Sequence, residues 1–293
     1  MEIKNKYTIL DKLGNGKFGT VYLGIYKKNN EKVAIKMEDL RTPIKLLKHE
    51  TTILKYLYEH GSRITPTVFW YGIHLTNTCL VMSYYECSLY DWFKREQTVS
   101  IEKINTIMCA AIGILDSIHK LFVLHRDIKP HNFMIKGGEL FLIDFGFATF
   151  FVNENGEHKD ECSQKTIIGT PKYISINIHN GNLPSRRDDL ISIGYVYFYL
   201  YCRELPWDNI QGDEIDNQIY DEMSIEHPKN RRRCELKTWD NIESICSKIN
   251  QNISRYMNYC YGLKFKDTPN YDAIIETFAR PSYSQNTLLE KTI

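Results

Sequence analysis

The ordered run His125-Arg126-Asp127-Ile128-Lys129-Pro130-His131-Asn132, followed by Asp144-Phe145-Gly146, constrains this chain more than any other feature. Between its halves lie two short apolar segments, Phe133 to Ile135 and Leu140 to Ile143. They read as strands separated by a Gly137-Gly138 turn. A loop can carry His-Arg-Asp by chance, whereas the complete ordered set with both strands is specific.

The flanking sequence predicts two different halves. Tyr7 to Leu13, Thr20 to Ile25, Lys32 to Lys36, Val68 to Ile73 and Cys79 to Tyr84 read as strands, and Leu46 to Tyr58 as a helix. From Leu89 onward helices dominate, over Ile101 to His119, Leu190 to Tyr201, Ile253 to Tyr261 and Tyr271 to Phe278. The join falls near Met82 to Cys87. Pro281 opens a short tail.

The chemistry builds up along the chain. Gly14-Asn15-Gly16-Lys17-Phe18-Gly19-Thr20-Val21 forms a glycine-rich turn between two strands, where backbone amides can approach phosphate oxygens. Alone, this pattern also suits an ordinary glycine-rich hairpin. A strand follows it rather than a helix, which disfavours a dinucleotide-binding fold, and no Gly-Lys-Ser/Thr ending marks a P-loop. Val33-Ala34-Ile35-Lys36 then sets a lysine in an apolar strand, where an unpaired ammonium is expensive. Glu50 on the next helix is its candidate partner, favoured over two unrelated solvent-facing charges. Phosphoryl transfer needs a carboxylate near the incoming hydroxyl and oxygen ligands for the Mg2+ that neutralises the phosphates. Asp127 fits the first role, Asn132 and Asp144 the second, and Lys129 can face the transferred phosphate. His125 has no companions at metal-ligand spacing and reads as packing beneath this loop. Arg126 is a candidate receptor for a phosphorylated segment, with Thr166 and Thr170 as candidate sites. Thr170 reads better as a hydrogen-bonding neighbour of Asp127.

Composition excludes several classes. The chain has 293 residues, enough for one large domain or two lobes, and with 43% hydrophobic and 25% charged residues it reads as globular. A formal charge of +1 gives no global reason to expect a nucleic-acid or membrane-surface protein. Met1 to Tyr7 is polar, and no run approaches the roughly 20 apolar residues that cross a bilayer. The eight cysteines show no zinc-site spacing, so buried free thiols in a reducing compartment are expected. An intracellular monomer without a nucleic-acid or membrane partner follows as an expectation.

These motifs resemble the protein kinase superfamily across roughly residues 7 to 279, and more narrowly the casein kinase 1 family. The narrower likeness rests on Gly169-Thr170-Pro171-Lys172-Tyr173-Ile174-Ser175-Ile176-Asn177 in place of the usual Ala-Pro-Glu. Ser185-Arg186-Arg187-Asp188-Asp189-Leu190, Leu205-Pro206-Trp207 and Pro269-Asn270-Tyr271 extend it. The resemblance implies an α+β, bilobal protein kinase fold: a small antiparallel β-rich N-lobe (about 7–82) with one main helix, a hinge (83–87), a larger mostly helical C-lobe (88–279), and a tail (280–293). It implies transfer of the ATP γ-phosphoryl group, with Mg2+, to serine or threonine of protein substrates. Leu13 to Val21, Ala34, Lys36, Glu50, Met82 as gatekeeper, and the hinge residues Ser83, Tyr84 and Tyr85 would then bind ATP. Asn132 and Asp144 would hold the metal, and Asp189 would hold the catalytic-loop backbone. A cytoplasmic or nuclear setting and basal activity without a phosphorylation switch are also implied.

Three departures stand out. Lys172 occupies a position that is commonly arginine in the family, and Ile219 lies near a second position that is commonly lysine. Recognition of acidic or pre-phosphorylated substrates is thus expected in weakened form. His131 replaces the usual aspartate before Asn132. Arg231-Arg232-Arg233 resembles part of a targeting or docking patch but reads better as a surface loop. The rival within the fold is an inactive pseudokinase scaffold, which loss of Lys36, Asp127, Asn132 or Asp144 would favour; all four are present. A small-molecule kinase is disfavoured by the open platform around Gly169-Thr170, and a nucleic-acid module by the lack of its motifs.

Overall fold

The computed structural model describes residues 2–16, 19–43, 45–210 and 221–279. By packing, the chain divides into two compact units. The first gathers Met1–Gln97, Ile114–Asp160 and Ile168–Thr170, and the second Thr98–Gly113, Glu161–Ile167 and the chain from Pro171 onward. Among the described residues no helix is long and apolar enough to cross a membrane.

The first unit is built on a six-stranded antiparallel sheet. Its strands are β1 (Glu2–Ile3), β2 (Tyr7–Gly16), β3 (Gly19–Tyr26), β4 (Glu31–Asp39), β5 (Val68–His74) and β6 (Asn77–Ser83), in the order β1-β2-β3-β4-β6-β5. Alternation along β4 explains how it works. Val33, Ile35 and Met37 point to one face and share a core with Ile3, Tyr7, Cys79 and Val81. On the other face, Lys36 and Glu38 reach the helix α1 (Leu46–Glu59). That helix lacks a side-chain cap of its own at Lys45. Glu38 supplies one from the strand, its Oε1 accepting from the amides of Leu46 (3.1 Å) and Leu47 (3.4 Å). Leu47, Ile53, Leu54 and Leu57 bury the apolar stripe of α1.

A hairpin places the polar motifs. β9 (Phe133–Lys136) pairs with β10 (Glu139–Leu142) in the register Phe133 to Leu142. Gly137 and Gly138 have φ of +58° and +83°, which a two-residue turn of this hand demands and glycine supplies without strain. The open end of the hairpin therefore sets Asn132 beside Ile143, whose amide donates to the Asn132 carbonyl at 2.9 Å. A second short ladder, β8 (Val123–Leu124) with β11 (Thr149–Phe150), closes the other side. Residues 125–132 and 143–148 thus run between two ladders. β7 (Cys87–Ser88) pairs with β9 and leads into α2 (Leu89–Arg95), which Ser88 caps by accepting from the Asp91 amide.

The division between the units falls within α3 (Ile101–Lys120). The second unit contains α4 (Ile176–His179), α5 (Arg186–Cys202), α6 (Pro228–Leu236), α7 (Trp239–Ser247), α8 (Gln251–Gly262) and α9 (Tyr271–Ala279). α5 is its core. Every residue from Asp188 to Leu200 is buried, so the helix carries no polar stripe. Two of its tyrosines are admitted because their hydroxyls find partners: Tyr195 with the Tyr261 hydroxyl at 2.7 Å, and Tyr197 with the Asn250 amide at 2.7 Å.

Two expectations need correction. Arg231, Arg232 and Arg233 lie on α6 and not on a surface loop, and each is paired locally, with Glu226, Glu235 and the Asn230 side chain respectively. The cysteines are all free, but only Cys79, Cys246 and Cys260 are buried, while Cys162 and Cys202 are exposed. Lys17, Phe18, Ile219 and the tail 280–293 lie outside the described residues.

Gly194 lets α5 and α8 approach closely, since a Cβ there would collide with the buried Met257 Sδ. Gly194→Ala should lower the unfolding free energy by about 1–3 kcal/mol through overpacking, and Met257→Ala in the same chain should recover part of it. Chemical denaturation of the single and double variants checks this.

Candidate active site

Two clusters of charged side chains, largely withdrawn from water, meet at the hairpin's open end. In the first, Lys36 Nζ lies 2.7 Å from Glu50 Oε2 and 2.8 Å from Asp144 Oδ1. The pairing expected for Lys36 and Glu50 is thus present, and Asp144 is a third member. Burial alone would lower the Lys36 ammonium, but Glu50 and Asp144 outweigh it and hold it above the ordinary lysine range. Burial raises Glu50 above the usual carboxylate range against the pull of Lys36. For Asp144 the balance is reversed: burial acts upward, and Lys36 prevails to hold the carboxyl below its ordinary value. Asp144 has φ +65°, a left-handed conformation costly for most residues and one that aspartate tolerates. His49 Nε2 donates to the Ala148 carbonyl at 2.7 Å, tying α1 to the segment that carries Asp144.

The second cluster centres on Asp127, which is 3% exposed. Its Oδ2 accepts from Lys129 Nζ at 2.7 Å and from Asn132 Nδ2 at 3.0 Å, and its Oδ1 accepts from the Thr170 hydroxyl at 2.7 Å. Lys129 Nζ also donates to Thr170 Oγ1 at 2.9 Å, closing a ring of Asp127, Lys129 and Thr170. His125 supports the loop from below. Its Nε2 is 2.9 Å from the Ile143 carbonyl, which can only accept, so the proton sits on Nε2 and the free Nδ1 accepts from the Asp127 amide at 3.3 Å. The ring meets Phe145 edge-on at 4.8 Å. Arg126, with φ +68°, donates from Nε to the Phe147 carbonyl. His131 stacks on Tyr90 at 3.9 Å.

The glycine-rich turn sits on β2 and β3, with Gly14 opposite Val21, Asn15 opposite Thr20 and Gly16 opposite Gly19. Thr20 Oγ1 donates to Asn15 Oδ1 at 2.6 Å. Gly19 has φ +138°, and a Cβ there would strike the Met37 carbonyl, so only glycine fits. Leu13 is 48% exposed on β2. Val21 pairs with Lys36 across β3 and β4, while Ala34 pairs with Met82 and Val33 with Ser83 across β4 and β6. Beyond β6, the Tyr85 ring packs on Phe141 at 4.8 Å, and Lys32 lies over the Tyr84 ring at 5.7 Å.

In the second unit, Asp189 is 3% exposed on α5. Lys172 Nζ pairs with Asp208 Oδ1 at 2.5 Å. Ser175 and Asn177, at the place of the usual Ala-Pro-Glu, both donate to Asp188 Oδ1, and the Ser185 amide donates to Asp188 Oδ2 at 2.7 Å. Sequence reasoning missed Glu38 and Asp188 as positioning groups. The two-residue spacing of Lys36 and Glu38 and the Ser185-x-x-Asp188 capping pattern were the available signals.

A family profile described as a protein kinase domain matches residues 7–266. The chain belongs to the protein kinase family, and its antiparallel N-terminal sheet followed by helices is the α+β protein kinase fold. The family's chemistry is transfer of a phosphoryl group from ATP, with Mg2+, to protein acceptors. The residues present fit that metal. The Asn132 amide nitrogen is committed to the Asp127 carbonyl (2.7 Å) and carboxylate, leaving its oxygen as the ligand atom, and the Asp144 carboxylate is 37% exposed. Both are hard oxygen donors of the kind Mg2+ takes.

The sign of the Asp144 shift makes a prediction. Its folded pKa lies below the ordinary 3.8, so its contribution to stability is fully present above that value and is lost as pH falls through the lower folded value. Lys36→Met should move the Asp144 titration upward. Carboxyl-detected NMR of both proteins reads this, and an unmoved titration contradicts the assigned cause.

Proposed function

We propose that this chain is an active serine/threonine protein kinase of casein kinase 1 type, moving the γ-phosphoryl group of ATP to hydroxyls of other proteins. The observation that carries this reading is the Asp127 carboxylate, held in one orientation by Lys129, Asn132 and Thr170 beside an intact Lys36–Glu50–Asp144 cluster. An inactive scaffold has no need to keep both clusters whole.

The geometry supports the following roles. Asp127 takes the acceptor hydroxyl's proton, with its carboxylate oriented by fixed donors rather than by mobile water. Lys129 already spans Asp127 and Thr170, and from there it can offset charge on the transferred phosphoryl group. Lys36, kept charged by Glu50 and Asp144, orients the ATP phosphates. Asn132 and Asp144 would hold Mg2+, which neutralises phosphate charge and aligns the leaving oxygen. Gly14 to Val21 cover the phosphates. Ala34 and Met82 flank the adenine, which the backbone of Ser83 to Tyr85 binds.

Substrate preference follows from Lys172. Its ammonium is already paired with Asp208, so its attraction for an acidic or phosphorylated acceptor is reduced. A weakened preference for acidic or pre-phosphorylated peptides over basic ones is therefore the expected pattern. The test is transfer from labelled ATP–Mg2+ to acidic, phosphoserine-primed and basic peptides, with Asp127→Asn alongside. The variant should lose about 10²–10⁴-fold in rate. Undiminished transfer by the variant removes Asp127 as the base, and ATP binding without turnover by the wild type favours the scaffold.

A further inference from the structure

Lys237 is a lysine with 0% exposure, directly after α6 and outside both charge clusters. Its Nζ donates to three backbone carbonyls: Ile174 at 2.7 Å, Lys172 at 3.1 Å and Pro171 at 3.2 Å. It also lies 3.3 Å from His179 Nε2 and over the rings of Tyr195 (4.9 Å) and Trp207 (4.8 Å). Burial first, then Arg233, works against the charge. Three carbonyl oxygens matching the three N–H donors of an ammonium, with two ring faces beside it, work in its favour. The backbone of Lys237 is anchored as well, its carbonyl accepting from the Tyr261 hydroxyl at 2.9 Å.

A buried lysine is most simply a satisfied core residue that only stabilises the fold. What argues for more is the identity of the groups it holds. All three carbonyls fall in one four-residue run that forms neither strand nor helix and so has no ladder of its own. That run follows Thr170, whose hydroxyl bonds Asp127, without an intervening residue. Trp207 Nε1 donates to the same Lys172 carbonyl at 2.7 Å, and Asp188 holds Ser175 and Asn177 immediately beyond. The segment where Ala-Pro-Glu is missing is thus held by a buried lysine on its backbone and a buried aspartate on its side chains.

We propose that Lys237 is a positioning residue for the protein acceptor: by clamping the carbonyls of Pro171, Lys172 and Ile174 it fixes the platform on which the acceptor chain lies. This role rests on the reading of the chain as a protein kinase. It acts on the acceptor side and leaves the nucleotide side untouched.

Lys237→Met, which keeps length and apolar bulk, tests it in the full chain. Steady-state kinetics should show kcat/KM for a peptide acceptor falling by about 10- to 100-fold. KM for ATP should stay within about twofold, a split that general destabilisation would not produce. Hydrogen exchange, which needs no activity, should quicken at residues 172–174 in the variant. Equal losses on the peptide and ATP sides, or unchanged peptide kinetics, overturn the proposal. Should Lys237→Met fail to fold, Trp207→Phe decides: removing the second donor to the Lys172 carbonyl should give the same split in smaller measure, and its absence is contrary. If the wild type transfers nothing, the kinase reading fails and this role with it. Faster exchange would in that case still show the clamp as a structural device.

Discussion

The structure depends on satisfying a carboxylate that lies almost wholly out of water. Asp127 is 3% exposed, and a buried carboxylate left without hydrogen-bond partners is costly. Three donors meet that cost: an ammonium and a side-chain amide from the loop 125–132, and a hydroxyl from the segment ending at Thr170. Each stretch is fixed by something else. Lys129 and Asn132 lie on the loop propped by His125, Asn132 starts the hairpin, and Thr170 ends the segment that returns to the site. Ordinary loops are mobile. This one is tied at both ends by the β8–β11 and β9–β10 ladders, which is how a loop residue acquires the precision that chemistry requires.

The same constraint recurs elsewhere. Lys36 is acceptable between Glu50 and Asp144 because the two carboxylates together outweigh its desolvation, and the pair links strand, helix and hairpin in one step. Glu38 repeats the device two residues on, spending its carboxylate on the N-terminus of α1. In the second unit Asp188 and Lys237 are buried without a partner of opposite charge as their main contact. Hydroxyl, amide and carbonyl dipoles serve instead. Buried charge here specifies position more than it adds stability.

Much of this was legible in the residues. The alternation in Val33 to Met37, the Gly137-Gly138 turn and the long apolar stripe of α3 report local rules that tertiary packing did not override. The partner of Lys36 followed from the cost of burying charge, and the link between Thr170 and Asp127 from reading Gly169-Thr170 as the place where the acceptor hydroxyl is presented. α2 went unread because seven residues offer barely two turns of periodicity. α6 went unread because its sequence is almost entirely polar. It stands on Pro228 in its first turn, on the His227 cap, and on a buried Asn230 that donates to the Glu222 and Ser224 carbonyls. No local pattern marks Lys237, since its three acceptors lie more than sixty residues earlier. The Lys172–Asp208 pair is likewise a product of folding, and it alters the charge that the isolated Lys172 seemed to offer.

Phosphoryl transfer by this chain is tested by the stoichiometry of a single turnover. Wild-type protein in excess over γ-labelled ATP, with Mg2+ and a serine- and threonine-containing protein acceptor, is quenched and analysed for both ADP and phosphorylated residues. One phosphoserine or phosphothreonine should form for each ADP, with neither product appearing in Lys36→Met. ADP without acceptor labelling, or bound ATP that stays intact, would contradict transfer by this chain.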